Sequence, residues 1–541
     1  MEVQIKQSGL CIVHNVPSGV LPCCLRSIRG SNCYYTGWRW LPYLKSIYGN
    51  FAIEGKDILR DLYQHSQRVF ALKSNGSCTE NNLSDILKIK LWDCQTQAIT
   101  CMAEAKRFYL ASDVGLGKTL TAFGTLLVLG DKVKRALVVC TSSVKYQWQD
   151  EILNALNDEH RNKYSISVVS GNASERKQCY DKDCFLYITN YESLLSDLSN
   201  NRVFKKSFDA IIFDEAWKIR NRRTKIHGAI RVFVRDIPYR YALNATPIAN
   251  RYEELFGVFQ ILDPLIFISW ANFASRYTLF EKIRLKNGRS FPKLVGYRHV
   301  SEIRNLIKSS ILRKTIDEAV KDRPNVIVTP RWVELTKNQR NEYERIKSSN
   351  AGALAKVVKA RIACLFDTPL LNSPKLRELV DLLVETFRKE KVLVFSESLV
   401  FLGGVLQQLQ SLGIPSLLLS GDDSSSDRNL KQGLFTEGKS RVLLCTAAGE
   451  AGINLQSADI VVNLDLPWSP DRLQQRVGRL RPHLGGKQRT IRVINILARD
   501  TIEERVIEVI HRKIGYFSSF FGEDVIDLTG IFTVNNLVRY L

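Results

Sequence analysis

The octet Ser-Asp-Val-Gly-Leu-Gly-Lys-Thr at positions 112–119 limits what this chain can fold into more than any other stretch. It follows the apolar run Arg107–Ala111 and precedes the helix-forming segment TLTAFGTLL. A strand, a glycine-bearing turn and a helix in that order curl backbone N–H groups around an anion and aim the positive end of the helix dipole at it. Gly115 and Gly117 supply the turn, Lys118 reaches the β- and γ-phosphates of a nucleotide, and the Thr119 hydroxyl ligates Mg2+. The strict pattern G-x-x-x-x-G-K-[ST] is broken at its first glycine, where Ser112 stands. A chance glycine turn gives the same letters, but the strand–loop–helix context disfavours it.

A second constellation lies downstream. Ala210–Phe213 (AIIF) runs into Asp214 and Glu215, which places two carboxylates at the carboxyl edge of a sheet, where α/β folds bind ligands. Asp214 then holds Mg2+ and Glu215 orients or deprotonates the attacking water. Alone, Asp-Glu after a strand is an ordinary solvated helix start. With Lys118 upstream and strands between, the pair points to a nucleoside-triphosphate hydrolase with ATP and Mg2+ as its cofactors.

From Leu91 onward, short apolar runs alternate with longer amphipathic segments, the rhythm of an α/β fold with parallel sheets. Strands are expected at Arg107–Ala111, Ala136–Cys140, Phe185–Thr189, Ala210–Phe213 and Tyr241–Ala245, and again at Val392–Phe395, Arg441–Cys445, Ile460–Asp465 and Arg492–Leu497. The two sets predict two lobes of the parallel-sheet, RecA-like kind: 86–262 as the first and 331–513 as the second. Residues 263–330, charged and punctuated by prolines, are expected as a helical insertion between them. Residues 1–85 form a small N-terminal unit and 514–541 a tail.

Composition narrows the partners. Lys and Arg number 77 against 55 Asp and Glu, a formal charge of +22, which suits binding to nucleic acid or another polyanion. No apolar stretch approaches a membrane span: Leu120–Leu129 is short and interrupted by Thr121, Gly124 and Thr125. The start MEVQIKQSG is unlike a signal peptide. An intracellular protein is therefore expected, in cytoplasm or nucleoid if prokaryotic or viral and in the nucleus if eukaryotic. The twelve cysteines fit no zinc spacing, His14 with Cys23, Cys24 and Cys33 included, so reduced structural thiols are expected.

Eleven segments then appear in the order found in the superfamily-two helicases, and among them the chain resembles the Swi/Snf-type DNA-dependent ATPases. They are LWDCQ (Leu91–Gln95), CTSSVKYQWQDE (Cys140–Glu151), ITNYESL (Ile188–Leu194), DEAW (Asp214–Trp217) and NATPIANRYEEL (Asn244–Leu255). ILRKT (Ile311–Thr315), VELTKNQRNEY (Val333–Tyr343), KVLVFSES (Lys391–Ser398) and CTAAGEAGINLQSAD (Cys445–Asp459) follow. DLPWSPDRLQQRVGRLR (Asp465–Arg481) and DTIEERV (Asp500–Val506) close the series.

The resemblance implies ATP bound between two lobes, with Gln95 contacting adenine, Gly452 and Gln475 lining the cleft, and Arg479 stabilising charge on the transferring phosphoryl group. It also implies a nucleic-acid track gripped by its phosphates, through Thr141, Ser142, Lys145, Asn190, Tyr191, Ser396 and Thr446. Trp468 lies near that track or in the core. The basic run Lys218–Lys225 (KIRNRRTK) is either a phosphate contact or a solvated loop.

Two departures stand out. The family's R-x-x-R becomes Arg479-Leu480-Arg481-Pro482, so Arg481 is the second finger only after a one-residue deletion. Trp217 replaces the histidine common in the acidic box. The expected activity is an ATP-dependent motor on double-stranded DNA that remodels protein–DNA or branched structures. Its alternatives are a strand-separating DNA or RNA helicase and, from another class, an ATP-gated DNA-binding scaffold with little turnover. Residues 1–85, with Tyr34, Tyr35, Trp38, Trp40 and Tyr43, offer either a surface for a protein partner or a DNA structure, or a small aromatic core.

Overall fold

The computed structural model describes residues 1–16, 24–28, 31, 33–48, 50–75, 83–200, 207–248, 251–284, 290–319, 325–450, 455, 457–478, 480 and 490–522. The chain divides into two units, one of Met1–Ile248 with Tyr252–Thr315 and the other of Ala249–Arg251 with Ile316–Leu541.

Strands whose residues are buried on both faces build the first unit. Every residue of Ala136–Cys140, Leu186–Asn190 and Tyr239–Leu243 is buried, which requires cover on both sides of the sheet. The seven strands run in the order Ile311–Lys314, Arg107–Ser112, Tyr239–Leu243, Ala210–Asp214, Ala136–Cys140, Leu186–Asn190 and Ile166–Val168. All neighbouring pairs are parallel, so the carboxyl ends of all seven share one edge.

A second sheet of the same unit comes from the N-terminal residues, in the order Arg26–Ser27, Tyr34–Gly37, Leu10–His14, Glu2–Ile5 and Ala52–Glu54. Its first strands alternate, with Val3, Ile5, Cys11 and Val13 inward. The aromatic-rich segment fastens this sheet to the segment that follows Leu262. The Trp40 indole N–H donates to the Ile266 carbonyl at 3.0 Å, and Arg39 pairs with Asp263 at 3.0 Å and donates to Ser309 and Ser310. A Cβ on Gly37 would fall 2.2 Å from the Leu265 carbonyl oxygen, so only glycine allows that approach.

In the second unit six parallel strands run in the order Asn325–Val333, Thr490–Ala498, Ile460–Asn463, Val392–Phe395, Val442–Cys445 and Ser416–Leu419. Leu393 and Phe395 enter one hydrophobic cluster while Val392 and Val394 enter the other. Lys375, fully buried, ties this unit together: its ammonium donates to the Leu464 and Ile496 carbonyls and to both oxygens of Glu503.

The segment 263–330 departs from the expected helical character. It carries the helices Trp270–Tyr277 and Val300–Ile307, but also an antiparallel ribbon of Thr278–Arg284 with Ser290–Tyr297. Most ribbon residues are exposed, so its apolar alternation is weak and its charge resembles that of a surface helix. Within the same stretch Ile311–Lys314 joins the edge of the first parallel sheet and Asn325–Val333 begins the second.

No helix among the described residues is long and apolar enough to cross a membrane. Among those residues no group of three or more His, Cys, Asp and Glu side chains is placed to hold a metal. The described cysteines are free thiols.

Candidate active site

The carboxyl edge of the first parallel sheet gathers the chemistry. Arg107–Ser112 leads into the loop 113–117 and then the helix Lys118–Leu129, with Gly117 as its N-cap in the left-handed region. Gly115 (φ +93°) and Gly117 (φ +63°) both have conformations that L side chains resist. Gly117 is required a second time, because a Cβ there would meet the Gln95 amide nitrogen at 2.3 Å. Ser112 needs no such freedom: it ends a strand with ordinary backbone, which explains how the loop dispenses with the first glycine.

Inside the loop the Lys118 ammonium donates to the carbonyls of Ser112 (2.9 Å) and Asp113 (3.1 Å). Burial lowers its pKa, and the negative charges of Glu215, Asp214 and Asp113 oppose that shift. One strand further along the edge, past Tyr239–Leu243, Ala210–Asp214 delivers the acids. Asp214 accepts from the Trp148 indole N–H at 2.8 Å and from the Glu215 backbone N–H at 2.9 Å. Glu215 has φ +50° and ψ +55°, a left-handed conformation that costs a non-glycine residue about 1 kcal/mol and that concentrates at functional sites.

Gln95 is buried against this loop. Its amide nitrogen donates to the Gly117 carbonyl (3.3 Å) and its oxygen accepts from the Trp92 N–H (2.9 Å). Thr119 opens the helix, half-buried. Gly452, Arg479 and Arg481 lie outside the described residues, whereas Gln475 is half-buried in the helix Pro470–Gly478. Arg476, beside it, is buried and donates to Asn463 and the Asp465 carbonyl, so it serves the core of its own unit.

Several of the expected nucleic-acid contacts are buried, with their side-chain donors engaged inside the protein. Tyr191 is fully buried and its hydroxyl donates to the Asp214 carbonyl at 2.7 Å, which makes it a support of the acidic strand. Lys145 spends its ammonium on the Val169 carbonyl at 3.0 Å, and the Ser396 hydroxyl is spent on Asp465; both residues are buried. Asn190 is buried too, donating to Glu192. Ser142 is exposed and Thr141 and Thr446 are half-exposed. Trp468 packs on the second unit's core with Arg361 over its ring.

Three residues at this edge were not singled out from the sequence. Trp148 and Glu151, in the W-x-x-E of the helix Lys145–Ala155, share one helical face by their spacing and both turn toward the site. Glu151 lies beside the Thr119 hydroxyl, which pulls its pKa down, but burial dominates and raises it from 4.5 to about 7. Arg313, on the edge strand, pairs with Asp113 of the phosphate loop at 2.7 Å and donates to the carbonyls of Ala111 (3.1 Å) and Ala245 (3.3 Å). It ties the end of the strand Arg107–Ser112 to the phosphate loop and to the loop after Tyr239–Leu243.

The Glu151 shift has a stability consequence in nucleotide-free, metal-free protein. A carboxyl raised on folding contributes its full stability below pH 4.5 and loses it as pH climbs through about 7. The loss is at most about 3 kcal/mol. Glu151→Gln should therefore melt like the parent near pH 4 and above it near pH 8. Equal differences at both values would contradict the assignment.

Residues 63–387 match the SNF2-related domain and residues 374–481 the helicase conserved C-terminal domain. An uncharacterized ATP-dependent helicase of Bacillus subtilis, YqhH, is 27% identical over 80% of this chain and 79% of its own length. The Mycoplasma genitalium ATP-dependent helicase MG018 is 27% identical over 77% of this chain. The Xenopus laevis SWI/SNF-related matrix-associated actin-dependent regulator of chromatin subfamily A-like protein 1 is 25% identical over 75%. The match spans only 40% and 42% of those last two relatives. Among solved structures, the Sulfolobus solfataricus SWI2/SNF2 ATPase core in complex with dsDNA is 23% identical, with a TM-score of 0.39 over 84% of this chain and 97% of that one.

Proposed function

The chain belongs to the SNF2-related family of ATP-dependent helicase-type enzymes, and on that premise we propose that it is an ATP-driven translocase on double-stranded DNA that remodels protein–DNA or branched DNA structures. One observation carries the nucleotide chemistry: Lys118 in a left-handed glycine loop and Asp214–Glu215 at a nearby strand end share one sheet edge, close enough for their charges to interact.

The residues fit a nucleotide with Mg2+. The loop offers backbone N–H groups and open space beside Gly115, Lys118 offers a positive charge, and Thr119 and Asp214 are hard oxygen ligands for the metal. Mg2+, when bound, supplies positive charge against the triphosphate oxygens. Glu215 orients the attacking water and takes its proton, while Arg479, with Arg481 as its second, stabilises the developing negative charge. Gln95 and Gly117 shape the first unit's nucleotide pocket, and the resemblance assigns Gly452 and Gln475 to nucleotide binding.

The charge of +22 supports nucleic acid as the track, and the Swi/Snf-like subset of motifs supports duplex over single strand. Of the run Lys218–Lys225, Arg223 and Lys225 are exposed. Lys218 is engaged by Glu192, Arg220 by Glu254, and Arg222 lies over the Trp270 ring at 4.3 Å. Neutralising Arg223 and Lys225 to Gln should weaken DNA binding and flatten its dependence on salt by about one to two counterions. An unchanged salt slope would remove the run from the track.

Displacement of the third strand from a DNA triplex, in the presence of ATP, tests translocation directly. Displacement that requires ATP and intact Lys118 is the expected result. Unwinding of a forked duplex without triplex displacement would favour a strand-separating helicase instead.

A further inference from the structure

We propose that Trp217 is a positioning residue that tethers the Glu215 carboxylate toward itself until nucleic acid engages the basic segment beside it. This inference rests on the motor reading above and assigns its coupling to a side chain that departs from the family pattern.

The tether is a hydrogen bond from the Trp217 indole N–H to Glu215 Oε2 at 3.1 Å. The Glu215 main chain is fixed separately. Its N–H is donated to Asp214, the Asp214 carbonyl is held by the buried Tyr191 hydroxyl, and its φ of +50° is imposed by that frame. With the backbone pinned, the indole N–H biases where the Glu215 carboxylate points.

Trp217 is 37% exposed, unusual for so large an apolar side chain. Lys218 Nζ lies 5.1 Å from its ring centroid and the Arg220 guanidinium 5.9 Å. The same ring therefore touches the proposed catalytic base at its N–H and two cations of the basic run at its face. A polyanion that competes with Glu192 for Lys218 and with Glu254 for Arg220 draws both cations off the ring and removes two cation–π contacts. A nucleobase or sugar edge that packs on the exposed face moves the indole further. Either event loosens the bond to Glu215 and lets its carboxylate turn to water. A histidine, shorter and more polar, offers a donor but far less face to the cations.

Trp217→Phe keeps a ring and deletes the donor, whereas Trp217→His restores a ring N–H. The expected result for Trp217→Phe is a polymer-free kcat roughly tenfold above the parent, the loss of one charge-assisted hydrogen bond, with KM for ATP unchanged. Its stimulation by duplex DNA shrinks in proportion, and Trp217→His stays near the parent in polymer-free rate. Tryptophan emission gives a readout apart from activity: duplex DNA should change the parent's emission through Trp217, and the change should be absent from Trp217→Phe.

An unaltered polymer-free kcat in Trp217→Phe, or a fall in kcat with and without DNA, overturns the tether. A parent enzyme that no polymer stimulates overturns the motor reading instead, and the polymer-free rate of Trp217→Phe then decides the tether alone.

Discussion

Glu215→Gln should bind ATP as the parent does and hydrolyse it about a hundred to ten thousand times more slowly, the range lost with a general base. The substitution changes one oxygen for an amide nitrogen. Gln bears the same left-handed strain at φ +50°, and the N–H donated to Asp214 is a backbone group, so the frame of the site survives. What disappears is the acceptor for the water's proton. Lys118→Ala should differ in kind, losing both ATP affinity and turnover, because its ammonium is the positive charge held inside the loop. Binding of a fluorescent ATP analogue beside single-turnover hydrolysis separates the two variants. Retained turnover in Glu215→Gln would remove that residue from the base role and pass it to another carboxylate at the edge, Glu151 foremost.

Lys375→Met should produce the largest loss of stability in the second unit. The ammonium is 0% exposed and makes hydrogen bonds of 2.6–2.9 Å to Leu464, Ile496 and the Glu503 carboxylate. Glu503 also accepts the Ala498 backbone N–H at 2.8 Å, so the pair fastens the helix Ile502–Phe521 to the strand Thr490–Ala498. Removing one partner leaves a buried carboxylate without its countercharge and costs about 3–5 kcal/mol. A fall of roughly 10 °C in the melting temperature of that unit is the expected reading. The double variant Lys375→Met with Glu503→Leu should recover part of it, since an apolar pair tolerates burial. A double variant no better than the single would show that packing rather than charge governs the site.

The phosphate loop and the acidic strand were legible in the sequence because their chemistry is local. Glycine spacing, one lysine and two carboxylates after an apolar run define them without distant neighbours. The parallel sheets were legible for a related reason: runs such as ALVVC and VLVF have no polar face to present. Short or mixed strands, Ile166–Val168 and Ser416–Leu419, escaped because three or four residues carry too little periodicity.

What the sequence concealed is burial set by tertiary packing. Lys145, Tyr191 and Ser396 have the donors a phosphate contact needs, yet each spends its donor on Val169, Asp214 or Asp465. Trp148 and Glu151 carried a signal in their i, i+3 spacing, but which way that helical face turned depended on the neighbouring strands. Arg313 looked like one basic residue in ILRKT, and only the edge position of its strand shows it gripping Asp113.

ATP turnover measured with no polymer, duplex DNA, single-stranded DNA and RNA, with Lys118→Ala as the blank, tests the central claim most directly. Strong stimulation by duplex DNA, absent from the blank, is the result predicted for a duplex-tracking motor. Stimulation by single strands or RNA alone would contradict duplex tracking in favour of a strand-separating helicase, and tight ATP binding without stimulated turnover would leave an ATP-gated scaffold.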